Sequence, residues 1–314
     1  MNRTEFPLPS AAAGRTLCCV LREPDTEPRA VLQIVHGMAE HIGRYAPFAE
    51  WLCARGFAVM GHDQLGHGHT VPEGREEDFG YFAEEGGAAA VIRDIRTVTV
   101  EAKRRFPGCP VFLLGHSMGS FFVRRYLTSA GGELAGAILL GAAWIPGPMA
   151  KTGLLLSHAV CRTKGDRCES PMLDRLVLGR AMSAFPGGDR YAWLTKDADI
   201  VREYEADPLC GIPFKAGAYR DFFSVMLSVA KEEEYDGIRR TLPILVASGE
   251  NDPIGGKKAA GRIAAEYRGL DFSDVELMIF PSDRHEILNE GDREEVYESI
   301  RAWMDRHVAR VTGV

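Results

Sequence analysis

The chain has 314 residues, 46% hydrophobic and 26% charged, an ordinary balance for a globular protein with a substantial core. A net charge of −7 without any long Lys/Arg tract argues against nucleic acid as a partner. No apolar run has signal-peptide character or can span a bilayer, so a cytoplasmic protein is expected, with no transmembrane segment and at most transient contact with a membrane surface. Seven scattered cysteines give neither a disulfide framework nor paired zinc knuckles; Cys161 and Cys168 could pair, but free thiols are the expectation.

In chain order, Thr16 to Leu21 reads as a strand, and the Pro-containing stretch after it as a turn. Ala30 to Val35 (AVLQIV) is a fully apolar strand, followed by the loop HGMAEHIGRY and a helix that ends at Gly56. Phe57 to Met60 is a further buried strand opening into GHDQLGHGHT. Gly87 to Phe106 reads as a helix with Val91, Ile95, Val98 and Ala102 on one face. Pro107 and Pro110 end it and introduce VFLLGHSMGS, where apolar residues break at Gly-His-Ser-Met-Gly and continue as a helix. Gly136 to Leu140 is the next strand, so strands alternate with helices and predict a mainly parallel sheet covered on both faces.

From Trp144 to about Tyr235 no buried strand is legible, only helical patterns such as LLLSHAV, MLDRLVLGRAM and FFSVMLSVA. The strand Pro243 to Ser248, a helix near Lys257 to Tyr267, the strand Val275 to Phe280 and a helix from Glu294 to Val308 complete the chain. The organisation expected is a core of residues 1–143 and 236–314, interrupted by a helical cap at 144–235.

The chemistry centres on Ser117. A serine between Gly115 and Gly119 at a strand-to-helix turn is pushed clear of the sheet with its hydroxyl exposed. A hydroxyl is a poor nucleophile unless a histidine takes its proton and a carboxylate orients that histidine. Asp252, just after the strand PILVAS, and His285, just after VELMIF, follow in the order Ser, Asp, His, each at a strand's C-terminal end. Asp274 precedes its strand, and Asp283 is too close in sequence to His285 to sit easily across the imidazole. The backbone N–H groups of Met118 and Met38 are the candidate oxyanion donors. His116 reads as a packed turn residue, and His158 and His307 as ordinary helical positions. His62, Asp63, His67 and His69 have spacings that could hold a metal, but no second ligand cluster accompanies them, and a structural loop without metal is expected.

HGMAEHIGRY, GHDQLGHGHT, GHSMG, SGENDP and RHEI together resemble the monoacylglycerol lipase and lysophospholipase group of α/β-hydrolases, from about Ala30 to Val308. The resemblance implies the α/β-hydrolase fold, Ser117, Asp252 and His285 as triad, the Met38 and Met118 amides as oxyanion hole, and a lipid-accepting cap. Glu40 and Arg44 match charged positions beside the site, where they order the loop or meet the polar end of a substrate. Ser120 stands where the group usually has a glycine, and Met38 where it commonly has a smaller residue; both bear on acyl preference.

The expected function is hydrolysis of a lipophilic monoester through an acyl-serine, with no cofactor. An amidase or peptidase on the same triad and a non-catalytic receptor using the pocket are the alternatives. Trp144, Leu154 to Leu156, Met172, Leu173, Leu176, Met182, Phe185, Phe222, Phe223 and Met226 are expected to pack the cap and wall a greasy tunnel above Ser117.

Overall fold

The computed structural model describes residues 1–187, 189–231 and 235–312. Eight strands form one sheet in the order β1-β2-β4-β3-β5-β6-β7-β8: β1 (Asn2–Pro9), β2 (Thr16–Glu23), β3 (Ala30–Val35), β4 (Phe57–His62), β5 (Val111–His116), β6 (Gly136–Leu140), β7 (Ile244–Gly249) and β8 (Val275–Phe280). The pairs from β4 to β8 are parallel, whereas β1 with β2 and β2 with β4 are antiparallel. This is the α/β-hydrolase fold.

Alternation along the central strands divides their residues between two cores. Val31, Val35, Val111 and Leu113 face α2 (Gly87–Arg105), α3 (Met118–Ala130) and α8 (Gly256–Gly269). Leu32, Ile34, Phe112 and Leu114 face α1 (Ala46–Cys53) and α9 (Arg293–Thr312). Burial on both faces is why these strands read as uninterrupted apolar runs. Trp303 of α9 is fully buried against the Phe112 ring, 5.8 Å between centroids.

One strand is absent from the sequence reading. β1 contains Pro7 and Pro9, which cannot donate to a ladder, and the chain tolerates them because β1 lies at the sheet edge. Its hairpin is tied down by α2, where Asp94 accepts from the Ser10 hydroxyl at 2.7 Å and the Ala11 N–H at 2.6 Å.

Between β6 and β7 lie α4 (Gly147–Lys164), α5 (Pro171–Met182), α6 (Ala198–Ala206) and α7 (Ala216–Val229). α6 was not expected as an element of its own; only Val201 and Tyr204 among its nine residues are buried. Of the expected core and cap segments, residues 188, 232–234 and 313–314 lie outside the described residues. All seven cysteines are free thiols, and among the described residues no helix is long and apolar enough to cross a membrane.

Candidate active site

β5 ends at His116 and α3 begins at Met118, leaving Ser117 as the hinge with φ 51° and ψ −118°. That left-handed backbone in a non-glycine residue stores on the order of 1–3 kcal/mol of strain. It is held in place by Ser117 N–H donating to Leu140 O at 2.9 Å and by the Ser120 N–H and hydroxyl donating to Ser117 O at 3.0 and 2.6 Å. No side chain fits beside it: a Cβ on Gly119 would lie 2.2 Å from Val35 O, and one on Gly115 would lie 2.6 Å from Gly119 O. Met118 opens α3, so its N–H has no intrahelical acceptor.

The loops after β7 and β8 bring Asp252 and His285 together, with His285 Nδ1 2.9 Å from Asp252 Oδ2 and both residues buried. Nδ1–H donating to the carboxylate is the tautomer that leaves the Nε2 lone pair free. Burial works against charge on Asp252, but His285 and the backbone N–H groups of Ile254 and Gly255 outweigh it and hold the carboxyl below its usual range. Asp283 is elsewhere: it accepts from Lys196 Nζ at 2.7 Å, and burial pushes its pKa up. Ser117 and His285 line one cavity of about 230 Å³, together with Gly37, Met38 and the aromatic rings of Trp193, Tyr204 and Phe214.

Gly37 sits against Ser117, where a Cβ would lie 3.3 Å from Ser117 Cβ and 2.6 Å from Glu40 Oε1. Glu40 fixes this loop by accepting from the Gly37 N–H, from the Tyr45 hydroxyl at 2.8 Å and from Arg44 at 3.0 Å, with His116 Nδ1 3.1 Å away. Arg44 also forks onto both oxygens of Glu286, the residue after His285. All of these groups are nearly or fully buried. Burial opposes charge on Glu40, yet His116 and Arg44 hold it well below the usual carboxylate range; burial opposes protonation of His116, yet Glu40 pushes it up. These contacts tie Glu40 and Arg44 to the loop, and Glu40 and Glu286 also line the cavity. His116 is more than a turn filler, being bonded into this cluster with its ring 4.8 Å from that of His285.

Of the histidines of GHDQLGHGHT, His67 serves the same loop. His67 Nε2 accepts from the Ala39 N–H at 3.2 Å, and its Nδ1 donates to Leu65 O at 2.9 Å. His36 is bracketed in the same way by the Gln64 N–H at 2.9 Å and Gly37 O at 2.8 Å. Burial lowers the pKa of His36 to about 4 and of His67 to about 3, so both are neutral hydrogen-bonding spacers. His62 is fully buried, whereas His69 is exposed and contributes its backbone N–H to Asp63.

A strap from the insertion, Trp193–Lys196, crosses the loop that carries His285. Trp193 O accepts from the His285 N–H at 3.4 Å, Leu194 O from the Glu286 N–H at 2.7 Å, and the Trp193 ring lies 5.0 Å from His285. Fully buried Glu290 clamps the two segments, accepting from the Arg284 N–H at 2.8 Å, the Thr195 hydroxyl at 2.9 Å and the Lys196 N–H at 3.0 Å. Neither strap nor clamp was legible in the sequence; the one signal was a charged residue close behind His285.

The expected apolar wall needs correction. Of the residues named for it, Met182 lines the cavity; Leu173, Phe222, Phe223 and Met226 are buried in the core; Leu155, Leu156, Met172 and Leu176 are exposed. Trp144 lies beside Glu266, and Phe185 packs under Arg284. The apolar lining comes instead from Leu178, Trp193, Leu194, Ile212 and Phe214. Helical spacing gave the apolar positions of α4 and α5 but not which of them turn inward.

The family described as serine aminopeptidase, S33, matches residues 26–292. A monoacylglycerol lipase of Mycolicibacterium smegmatis is 29% identical over 91% of this chain and 91% of its own. The human monoglyceride lipase is 26% identical over 95% of this chain and 89% of its own. Among solved structures, a thermostable carboxyl esterase from Bacillus coagulans in complex with glycerol superposes with a TM-score of 0.89 at 25% identity, covering 98% of this chain and 99% of that one. A match that takes in the Ser117 elbow, the Asp252–His285 pair and the Gly37 loop shows that the chain belongs to the serine aminopeptidase S33 family of α/β-hydrolases.

Proposed function

We propose that the protein is a serine ester hydrolase that cleaves lipophilic monoesters of the monoacylglycerol or lysophospholipid type. The observation that carries this reading is the strained Ser117 opening into the same largely apolar cavity as an His285 already bonded to Asp252. Relatives named monoacylglycerol lipase, monoglyceride lipase and phospholipase support the substrate class.

In this mechanism Ser117 Oγ attacks the ester carbonyl as its proton passes to His285 Nε2, and Asp252 steadies the resulting imidazolium. The N–H groups of Met118 and Met38 receive the developing oxyanion. The tetrahedral intermediate collapses as His285 protonates the leaving alcohol, and water, activated by the same imidazole, then releases the fatty acid from the acyl-serine. No cofactor enters. Residues 144–235 act as a cap that supplies the outer wall of the cavity, and Glu40 and Arg44 order the loop. Free thiols suit a reducing, cytoplasmic setting.

Each acyl methylene buried in the cavity contributes up to about 0.8 kcal/mol. Medium or long acyl monoesters are therefore preferred over acetyl esters and over bulky triacylglycerols. Specificity constants across an acyl series of monoacylglycerols and p-nitrophenyl esters test this. An optimum at acetyl, or equal rates on peptide amides, overturns the lipid-ester reading.

A further inference from the structure

We propose that His41, Asp207 and Cys210 form an inhibitory binding site for a soft divalent cation, zinc above all, linking the cap to the loop that carries Gly37. His41 Nε2 lies 2.8 Å from Asp207 Oδ2, and these two atoms and Cys210 Sγ all fall within 4.8 Å of one another. The donors come from two segments far apart in sequence, and all three residues are half-buried. His41 and Asp207 also line a second cavity of about 300 Å³, with Arg44, Glu203 and Tyr204 around it, so an ion and its water have room to enter.

Imidazole, carboxylate and thiolate in one cluster are zinc's preferred donor types, with water in the fourth place. Donors around a tetrahedral zinc at about 2.0–2.3 Å stand roughly 3.3–3.8 Å apart, so these side chains need shifts on the order of 1 Å. The proton balance is simple. The thiol releases its proton to solvent as sulfur binds the cation, and the Asp207–His41 hydrogen bond is exchanged for two metal bonds.

The inhibitory sense follows from the imidazole. His41 Nδ1 now accepts the Gly43 N–H at 3.2 Å and caps the turn Ile42–Tyr45, which requires the proton on Nε2. Coordination through Nε2 moves that proton to Nδ1 and turns the acceptor into a donor facing another donor. The cap is lost from the turn whose Arg44 and Tyr45 hold Glu40, and Glu40 holds the Gly37 N–H. The cap segment already grips the same loop, since Tyr204 Oη and the Gly211 N–H both donate to Ala39 O, at 2.8 and 2.9 Å. A cation at Asp207 and Cys210 therefore acts directly on the site's loop.

Inhibition rests on the ester-hydrolase reading; cation binding does not, and the two are measured separately. Metal-free protein titrated with CoCl2 is expected to develop a thiolate-to-cobalt charge-transfer band saturating at one ion per chain, which ZnCl2 displaces. Cys210→Ala is expected to lack the band and to keep the basal esterase rate. Its half-inhibitory zinc concentration is expected to rise about tenfold or more, with Asp207→Asn moving the same way. Absence of the band from the unaltered protein, or its persistence in Cys210→Ala, overturns the site. Equal zinc inhibition of Cys210→Ala and the unaltered protein overturns the inhibitory role.

Discussion

Removing the Glu290 clamp tests whether the strap positions the base or merely packs on it. Glu290→Ala removes a fully buried carboxylate and leaves the part-buried Arg284 and Lys196 N–H groups without their acceptor, while the Thr195 hydroxyl keeps Asn289 O at 3.1 Å. A donor left unpaired in full burial costs about 1–3 kcal/mol, and these two are part-buried, so the variant loses about 1–3 kcal/mol in all, still a sizeable share of a typical domain's stability. Glu290→Gln keeps one accepting oxygen and opposes its amide to one donor, so about half that loss is expected. The loop released carries His285 between Arg284 and Glu286, and a displacement of about 1 Å in a reacting group costs on the order of 100-fold in rate. Urea unfolding gives the stability. The kcat on a p-nitrophenyl ester, taken at a temperature where both variants remain folded, gives the positioning effect. The expected result is graded loss in both, Gln between the unaltered protein and Ala. Reduced stability with an unchanged kcat refutes positioning, and an unchanged unfolding midpoint refutes the clamp itself.

Gly37→Ala inserts a methyl 3.3 Å from Ser117 Cβ and 2.6 Å from Glu40 Oε1, so kcat/KM should fall by on the order of 100-fold, as when an oxyanion donor is misplaced, while circular dichroism stays native. Asp252→Asn should lower kcat about ten-thousand-fold by favouring the wrong tautomer of His285; a near-normal rate would mean another carboxylate orients the base. Asp94, fully buried beneath the β1 hairpin, has its pKa raised to about 6, chiefly by desolvation and against the hydrogen bonds from Ala11 and Ser10. Its folded pKa lies above the unfolded value, so its contribution is complete below about pH 4 and is lost as pH rises through about 6. Asp94→Asn should therefore raise the urea midpoint at pH 8 and not at pH 4; the opposite pattern would show the carboxylate to be stabilising.

Much of this was legible because it depends on local pattern. Strands buried on both faces, such as AVLQIV and VFLLGH, must be continuously apolar, and the side chains proposed for catalysis sit at strand ends in a chain order that sequence displays. β1 was hidden because prolines at 7 and 9 argue against a strand unless it is known to lie at an edge. α6 was hidden because two buried residues in nine give little periodicity. The Glu40–Arg44–Glu286 cluster could be only half foreseen: its first two members are neighbours in a loop, but the third is 242 residues from Arg44. Glu290 could not be foreseen at all, since its partners include backbone N–H groups, which every residue but proline carries alike.

The central claim is that Ser117 is a nucleophile activated by His285. Incubation of the purified protein with a fluorophosphonate, followed by peptide mass mapping, addresses it directly. The account predicts stoichiometric labelling of Ser117 and its loss in His285→Ala. Labelling at another residue, or undiminished labelling of Ser117 in His285→Ala, would contradict it.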